Sequence, residues 1–247
     1  MTWPRAILFD LDDTLIHAHA RPDEAWLAVT REMADALVPL TPEEAARAIA
    51  NFARTFWDDA DRHRAFRQTL SAARHAIVSG GLVQLAAIGR PIPSGAIATQ
   101  LALRFSAYRI EQMRLCDGAH ETIDALRARG VKLGLITNGD GPGQRAKIDR
   151  FALAHRFDHI QIEGEHGFGK PEERAYLHAL ETLGASPQGT WIIGDNLEWE
   201  VAAPQALGLY AVWCDHAGGG LPAGTLVVPD RIVRSVPEVL ELFDGGD

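Results

Sequence analysis

The feature that most constrains this chain is the stretch Ala6-Ile7-Leu8-Phe9-Asp10-Leu11-Asp12-Asp13-Thr14-Leu15. Four apolar residues in a row, bounded by Pro4 and an acidic cluster, predict a short strand buried on both faces. Such a strand belongs inside a sheet covered by helices, and it carries carboxylates to its C-terminal end, where open α/β sheets build their sites. Asp10 and Asp12 lie two apart and can leave the strand on the same side. Carboxylates crowded in this way repel unless a cation or a shared proton relieves them. Magnesium, which takes one or two carboxylates together with water and phosphate oxygens, meets that need. The competing reading is a plain acidic turn after an ordinary strand.

The rest of the chain has two characters. Residues 17 to about 113 carry helical spacing and almost no strand signal. Asp23 caps a predicted helix through Trp26, Leu27, Thr30, Met33, Ala34 and Leu37, ended by Pro39. Thr41-Pro42-Glu43-Glu44 is a capping-box start for a helix running toward Trp57. A third helix is expected over Phe66 to Leu85, with a break at Gly80-Gly81, and a last one from about Ala96 to Met113. From Cys116 onward, helices and short apolar runs alternate. Strands are predicted at Val131 to Ile136, Ile160 to Ile162, Trp191 to Ile193 and Leu209 to Trp213, with a possible edge strand near Thr225 to Val228. Helices are expected at Ala119 to Arg129 (stopped by Gly130), Gln144 to Phe151, after Gly169-Lys170-Pro171-Glu172 as far as Gly184, Val201 to Leu207, and after Pro237. Alternation of this kind means a parallel sheet covered on both faces. The expected fold is therefore α/β: a Rossmann-like three-layer parallel-sheet core made of residues 1–16 and 114–247, with an inserted α-helical cap domain over 17–113.

Charge narrows the partners. The 24 Lys and Arg against 33 Asp and Glu give a net charge of −9, the wrong sign for a general nucleic-acid binder. A small anionic substrate stays compatible, because local cations and a metal reverse the field inside one cleft. The two cysteines, Cys116 and Cys214, have no paired spacing, which argues against a disulfide framework and against a zinc site. The ten histidines are scattered without ligand spacing, and His17 and His19 are expected at the surface. No signal segment and no apolar run of membrane-spanning length is evident, so a cytoplasmic protein with no membrane partner is expected. The oligomeric state stays open.

In a parallel sheet all C-terminal strand ends share one edge. Three strands bring Asp10 and Asp12, Thr137 and Asn138, and Asp195 to that edge, and Lys170 lies on a loop able to reach it. Together they offer a carboxylate nucleophile, a second carboxylate, hydroxyl and amide donors, a cation and a further metal-type acid. That inventory suits phosphoryl transfer, in which charge on the equatorial oxygens is met by a metal, a lysine and oriented donors.

Four motifs in order, Asp10-Leu11-Asp12-Asp13-Thr14, Ile136-Thr137-Asn138-Gly139, Lys170-Pro171 and Gly194-Asp195 with a second acid following, resemble the haloacid dehalogenase-like superfamily of hydrolases, and the helical insertion resembles its small helical cap. The resemblance implies a phosphatase branch member acting on a small phosphate ester with Mg²⁺. On that footing Asp10 is the nucleophile that forms an aspartyl-phosphate, and Asp12 protonates the leaving oxygen and then activates water. Thr137, Asn138 and local N–H groups hold the phosphoryl oxygens, while Lys170 neutralises charge on both partners. Asp10, the Asp12 carbonyl and Asp195 hold the metal. One departure is Glu200, five residues after Asp195, where many relatives carry Asp; Glu200 is expected as an accessory group reaching the metal shell through water, and Asn196 as a partner of the metal or of Lys170.

Other residues have plainer readings. Lys147, inside a helix, is expected to be solvated or structural. Asp13 is expected as a turn residue and Thr14 as a hydrogen-bonding brace. Arg62, His63, Arg64 and Arg67 form a basic cluster in the cap, either a solvated face or a grip on the non-reacting part of an anionic substrate. Trp26 and Trp57 are expected in the cap core. The rival activities are dehalogenation of a 2-haloacid, which needs neither Asp12 nor a metal, transfer to another hydroxyl by a phosphotransferase or mutase, and non-catalytic binding.

Overall fold

A computed structural model describes residues 3–18, 22–66 and 69–244, without the side chains of Ala60, His63, Arg64 and Asp244. It divides into two compact units, Met1–His17 with Arg114–Asp247, and Ala18–Met113. The first unit opens with β1 (Ala6–Phe9), whose four residues are all buried, and the two-residue strand β2 (Ile16–His17).

The second unit is helical among its described residues: α1 (Pro22–Glu32), α2 (Ala34–Leu37), α3 (Pro42–Asp58), α4 (Ala60–Phe66), α5 (Leu70–Ala87) and α6 (Gly95–Gln112). The helix expected from Asp23 to Leu37 is two pieces, parted at Met33. The Thr41 start is a full capping box: Thr41 Oγ1 accepts from the Glu44 N–H at 3.2 Å, and Glu44 Oε2 accepts from the Thr41 N–H at 2.9 Å. Against expectation, α5 runs unbroken through Gly80-Gly81. A Cβ on Gly81 would stand 2.8 Å from the Ile49 Cα, so this glycine permits close approach of α3 and α5 and marks no break. Trp26 stacks on Phe105 with centroids 3.5 Å apart in the core of this unit, against which Trp57 also packs. Burying a side chain of that size contributes about 3 kcal/mol.

The first unit then resumes with β3 (Arg114–Leu115), which pairs antiparallel with β2, so the chain leaves and re-enters through one small ribbon. There follow α7 (Ala119–Ala128), β4 (Lys132–Thr137), α8 (Gly141–Arg150), β5 (His159–Ile162), α9 (Glu163–His166), α10 (Glu173–Leu183) and β6 (Thr190–Gly194). A π-helical turn over Leu197–Ala202 leads into α11 (Ala203–Ala206), then β7 (Tyr210–Cys214), β8 (Arg231–Val233) and α12 (Glu238–Asp244). The sheet order is β5-β4-β1-β6-β7-β8, parallel throughout.

The expected edge strand near Thr225 to Val228 is displaced to β8. Leu226 and Val228 point to solvent, while Asp230 docks the segment: its N–H donates to the Ala211 carbonyl at 3.0 Å and its Oδ2 accepts from the Ala211 N–H at 2.8 Å. Among the described residues no helix is long and apolar enough to cross a membrane.

Candidate active site

Register fixes where the strand ends meet. Phe9 is level with Leu135 of β4 and Ile193 of β6, so Asp10 emerges at the C-terminal edge between these two strands. Its N–H still donates to the Ile193 carbonyl at 2.9 Å, which holds the residue to the sheet. The chain then turns sharply: Asp13 takes a left-handed conformation with φ 59°, and its N–H donates to the Ile16 carbonyl at 2.7 Å. Asp tolerates that region better than most residues.

Lys170 is the centre of the dry part of the site. Its side chain is 1% exposed, and Nζ lies 2.5 Å from Asp10 Oδ1 and 2.7 Å from Glu200 Oε1. Asn138 grips the lysine's own backbone from both sides: Oδ1 accepts from the Lys170 N–H at 2.9 Å, and Nδ2 donates to the Lys170 carbonyl at 2.7 Å. The Asn138 amide is thus committed to placing Lys170, where the sequence suggested a phosphate ligand. Glycines make the crowding feasible. A Cβ on Gly194 would fall on the Glu200 side chain, and one on Gly169 would stand 2.5 Å from Asn138 Oδ1.

Glu200 and Asn196 lie beside Lys170, Glu200 as its ion-pair partner and Asn196 through its hydrogen bond to Glu200. Both Glu200 oxygens are engaged, Oε1 by Lys170 and Oε2 by the Asn196 N–H at 2.8 Å. Asn196 Oδ1 caps the π-helical turn by accepting from the N–H groups of Glu198 and Trp199, each at 3.0 Å. The longer side chain of Glu200 therefore serves the lysine.

Asp12 is held by α8. Lys147 Nζ donates to both of its oxygens, at 2.8 and 2.7 Å, and Gln144 Nε2 reaches Oδ2 at 3.0 Å. Lys147, expected to be solvated or structural, is not solvated: its side chain is 19% exposed and turned onto the carboxylate. Gln144, which the sequence marks only as a helix start, also donates to Thr137 Oγ1 at 2.5 Å and to the Asn138 carbonyl at 2.7 Å. One signal pointed to both residues, since positions 144 and 147 share a face of a helix that begins beside a strand end. The helix was expected from Gln144, but Asp140 caps it three residues earlier by accepting from the Gly143 N–H at 2.7 Å.

The electrostatics are lopsided. Burial raises the pKa of Asp10, with the Lys170 ammonium opposing it. Burial and repulsion from Asp10 and Glu200 push Asp195 up to about 8, and burial against the pull of Lys170 puts Glu200 at about 7. Burial opposes the charge on Lys170, yet Asp10 and Glu200 outweigh it and lift its pKa. Three carboxylates thus share one buried ammonium. Such a surplus of hard oxygen donors suits a small divalent cation. Because Glu200 is occupied by Lys170, the carboxylates of Asp10 and Asp195 are the donors that fit one.

The structure therefore gathers Asp10, Asp12, Thr137, Asn138, Lys170, Asp195, Asn196 and Glu200 at one sheet edge. Thr14 does not brace the loop: its Oγ1 is buried with no hydrogen-bond partner among the described residues. Of the basic cluster in the helical unit, Arg67 lies outside the described residues, as does His19, and the side chains of His63 and Arg64 are not described. Arg62 lies 5.5 Å over the Phe56 ring and 3.9 Å from Asp59.

Comparisons with known proteins agree with this layout. The family model for haloacid dehalogenase-like hydrolases matches residues 4–208. Phosphoserine phosphatase of Thermus thermophilus is 38% identical over 113 residues, 46% of this chain and 45% of that protein. N-acylneuraminate-9-phosphatase of Rattus norvegicus is 30% identical over 151 residues, 61% of this chain and 60% of that protein. The chain thus spans about half the length of these two relatives. Glyceraldehyde 3-phosphate phosphatase of Methanothermobacter thermautotrophicus is 25% identical over 84% of each chain. Among solved structures, a magnesium-bound HAD-hydrolase of Bacillus subtilis superposes with a TM-score of 0.71 at 22% identity, covering 98% of this chain and 100% of that one. A 2-haloacid dehalogenase of Pseudomonas syringae gives 0.62 at 23% identity, covering 98% of each chain, a likeness of fold. With the family model covering residues 4–208, this chain belongs to the haloacid dehalogenase-like hydrolases.

Proposed function

We propose that the protein is a Mg²⁺-dependent phosphatase that hydrolyses a small phosphorylated metabolite through an aspartyl-phosphate on Asp10. The observation that carries this reading is the pairing of two carboxylates with two lysines, Asp10 with buried Lys170 and Asp12 with Lys147. With Oδ1 held by Lys170, Asp10 Oδ2 is the oxygen left to attack phosphorus. Asp12, oriented by Lys147 and Gln144, gives a proton to the leaving oxygen and, as its carboxylate, takes one from the water that opens the acyl-phosphate. Gln144 donates to Thr137 Oγ1, and the Thr137 hydroxyl, whose proton makes a long 3.4 Å contact with the Asn138 carbonyl, would turn that proton to a phosphoryl oxygen. Lys170 stands where charge builds between nucleophile and phosphoryl group. Asp10, Asp195 and the Asp12 carbonyl would hold Mg²⁺, which would supply positive charge for the phosphoryl oxygens.

Names of relatives support the class: the curated proteins quoted above are phosphatases acting on small phosphorylated molecules. Halide displacement from carbon requires no leaving-group acid, so the triple hold on Asp12 favours phosphorus. The test is phosphate release from p-nitrophenyl phosphate and from a panel of metabolite phosphates, with Mg²⁺ and with chelator, for wild type and Asp10→Asn. Release that needs metal and vanishes in the variant upholds the reading. Chloride release from 2-chloropropionate without metal, with no phosphate release from any ester, overturns it.

A further inference from the structure

Three of the histidines that look scattered in the sequence come together in the folded chain. His159 opens β5, His166 ends α9 and His178 sits on α10. One ligand-capable nitrogen from each lies within 4.8 Å of the other two. The rings are mutually tilted, with centroids 5.2 Å apart for His166 and His178, 5.6 Å for His159 and His178, and 6.2 Å for His159 and His166.

Their hydrogen bonds set the tautomers. His166 Nδ1 lies 3.1 Å from the Ile162 carbonyl, which only accepts, so Nδ1 carries the proton and Nε2 keeps its lone pair. His178 Nδ1 lies 2.8 Å from Gln161 Oε1. Gln161 cannot be turned over, because its Nε2 donates to the Ala175 carbonyl at 2.8 Å. Nδ1 of His178 is therefore also protonated, and its Nε2 is free to ligate. The third nitrogen, His159 Nε2, is buried with no hydrogen-bond partner among the described residues. A solvated trio of surface histidines has no need of such an arrangement. Carbonyl oxygens that accept from Nδ1–H and so aim Nε2 are what metal-binding imidazoles require. Burial and the two neighbouring imidazoles also hold His159 toward its neutral form.

We propose that His159, His166 and His178 form a binding site for a borderline transition-metal ion of the zinc class, separate from the carboxylate site. Gln161 is level with Ile136 of β4, and Asp10 follows Phe9, the partner of Leu135. The trio therefore begins two strands, about 10 Å, from β1. Its donors are all imidazole nitrogen, which suits Zn²⁺, Cu²⁺ or Ni²⁺ and disfavours Mg²⁺. Zinc bonds imidazole nitrogen at about 2.0–2.1 Å, which places tetrahedral ligands roughly 3.4 Å apart, so the rings close by about 1 Å on binding. Three protein ligands leave a fourth position for water. His166 and His178 flank the segment that carries Lys170, so the ion would pin both ends of that segment to the edge strand.

The test uses the full chain with millimolar Mg²⁺ present to occupy the carboxylate site, and Co²⁺ and Zn²⁺ alone as probes. The wild type is expected to take one Co²⁺ with the strong visible absorption of a tetrahedral ion, to lose it stoichiometrically to Zn²⁺, and to melt at a higher temperature with Zn²⁺. His166→Asn with His178→Asn keeps a donor near each Nδ1 position and deletes Nε2. This variant is expected to bind Zn²⁺ at least about 100-fold more weakly and to lose the cobalt band and the thermal shift. Asp10→Asn with Asp195→Asn is expected to keep all three. A wild type without the tetrahedral band, or a histidine variant that binds as the wild type does, overturns the proposal. The wild-type measurement decides even if the histidine variant fails to fold.

Discussion

Two acid–lysine pairs stand side by side at the sheet edge, and they are built on opposite terms. Lys170 and Asp10 are sealed, with side chains 1% and 9% exposed, and the lysine is shared with Glu200. Lys147 and Asp12 are partly open, at 19% and 17%, and the lysine straddles one carboxylate alone. The contrast suits the proposed division of labour. A nucleophile benefits from a fixed partner and a dry surrounding, where charge–charge attraction is strong. A group that must both give and take a proton benefits from contact with water and a partner it can leave.

The largest effect is expected at Lys170. Lys170→Met leaves Asp10 and Glu200 buried without their cation, and the expected loss is about 3–5 kcal/mol by urea denaturation. Adding Glu200→Gln should recover part of it, because one orphaned charge is then gone. Lys147→Met should cost less. Its partner keeps Gln144 and some water, so a fall of about 10–100-fold in kcat is expected, with KM nearly unchanged and stability lowered by about 1 kcal/mol. Equal stability losses at the two lysines would erase the distinction.

Proton linkage tests the carboxylate surplus. With Asp195 raised to about 8 and Glu200 to about 7, the folded protein without metal holds protons that the unfolded chain releases near its ordinary carboxylate pKa. Its stability is therefore expected to fall as pH rises from about 5 to 8. Mg²⁺ should flatten that decline and raise the melting temperature more at pH 8 than at pH 6, by at most about 1.4 kcal/mol per pH unit for each displaced proton. A magnesium shift that is larger at pH 6 would contradict this picture. The smallest effect is expected at the cap of the π-helical turn. Asn196→Ala removes the acceptor for two N–H groups, and a loss of about 1 kcal/mol should follow, with the metal response retained.

What the sequence makes legible follows from where the physics is local. Apolar runs such as Ala6 to Phe9 and Trp191 to Ile193, each ending in a carboxylate, mark buried parallel strands and the edge where their chemistry gathers. The Thr41 start is equally local, since both of its hydrogen bonds close within four residues. Choices that depend on partners far along the chain are hidden. Gly80-Gly81 looks like a break and is a contact with α3. Lys147 reads as solvated or structural, because the face it takes is set by a helix start at Asp140. Glu200 reads as an accessory to the metal shell, and its pairing with Lys170, thirty residues earlier, is set by the fold. The Leu226 and Val228 run has strand composition, yet Asp230 decides which residues pair with β7.

In the proposed reaction Asp10 takes the phosphoryl group and Asp12 is needed to release it. With p-nitrophenyl phosphate the departing phenolate needs little protonation, so Asp12→Asn should still form the aspartyl-phosphate and then stall. Acid quenching followed by borohydride reduction, with mass spectrometry of the peptide containing residue 10, reads this directly. The prediction is conversion of Asp10 to homoserine in Mg²⁺-loaded Asp12→Asn protein and none in a chelator control. An unmodified Asp10 in protein that has released one equivalent of p-nitrophenol would contradict it.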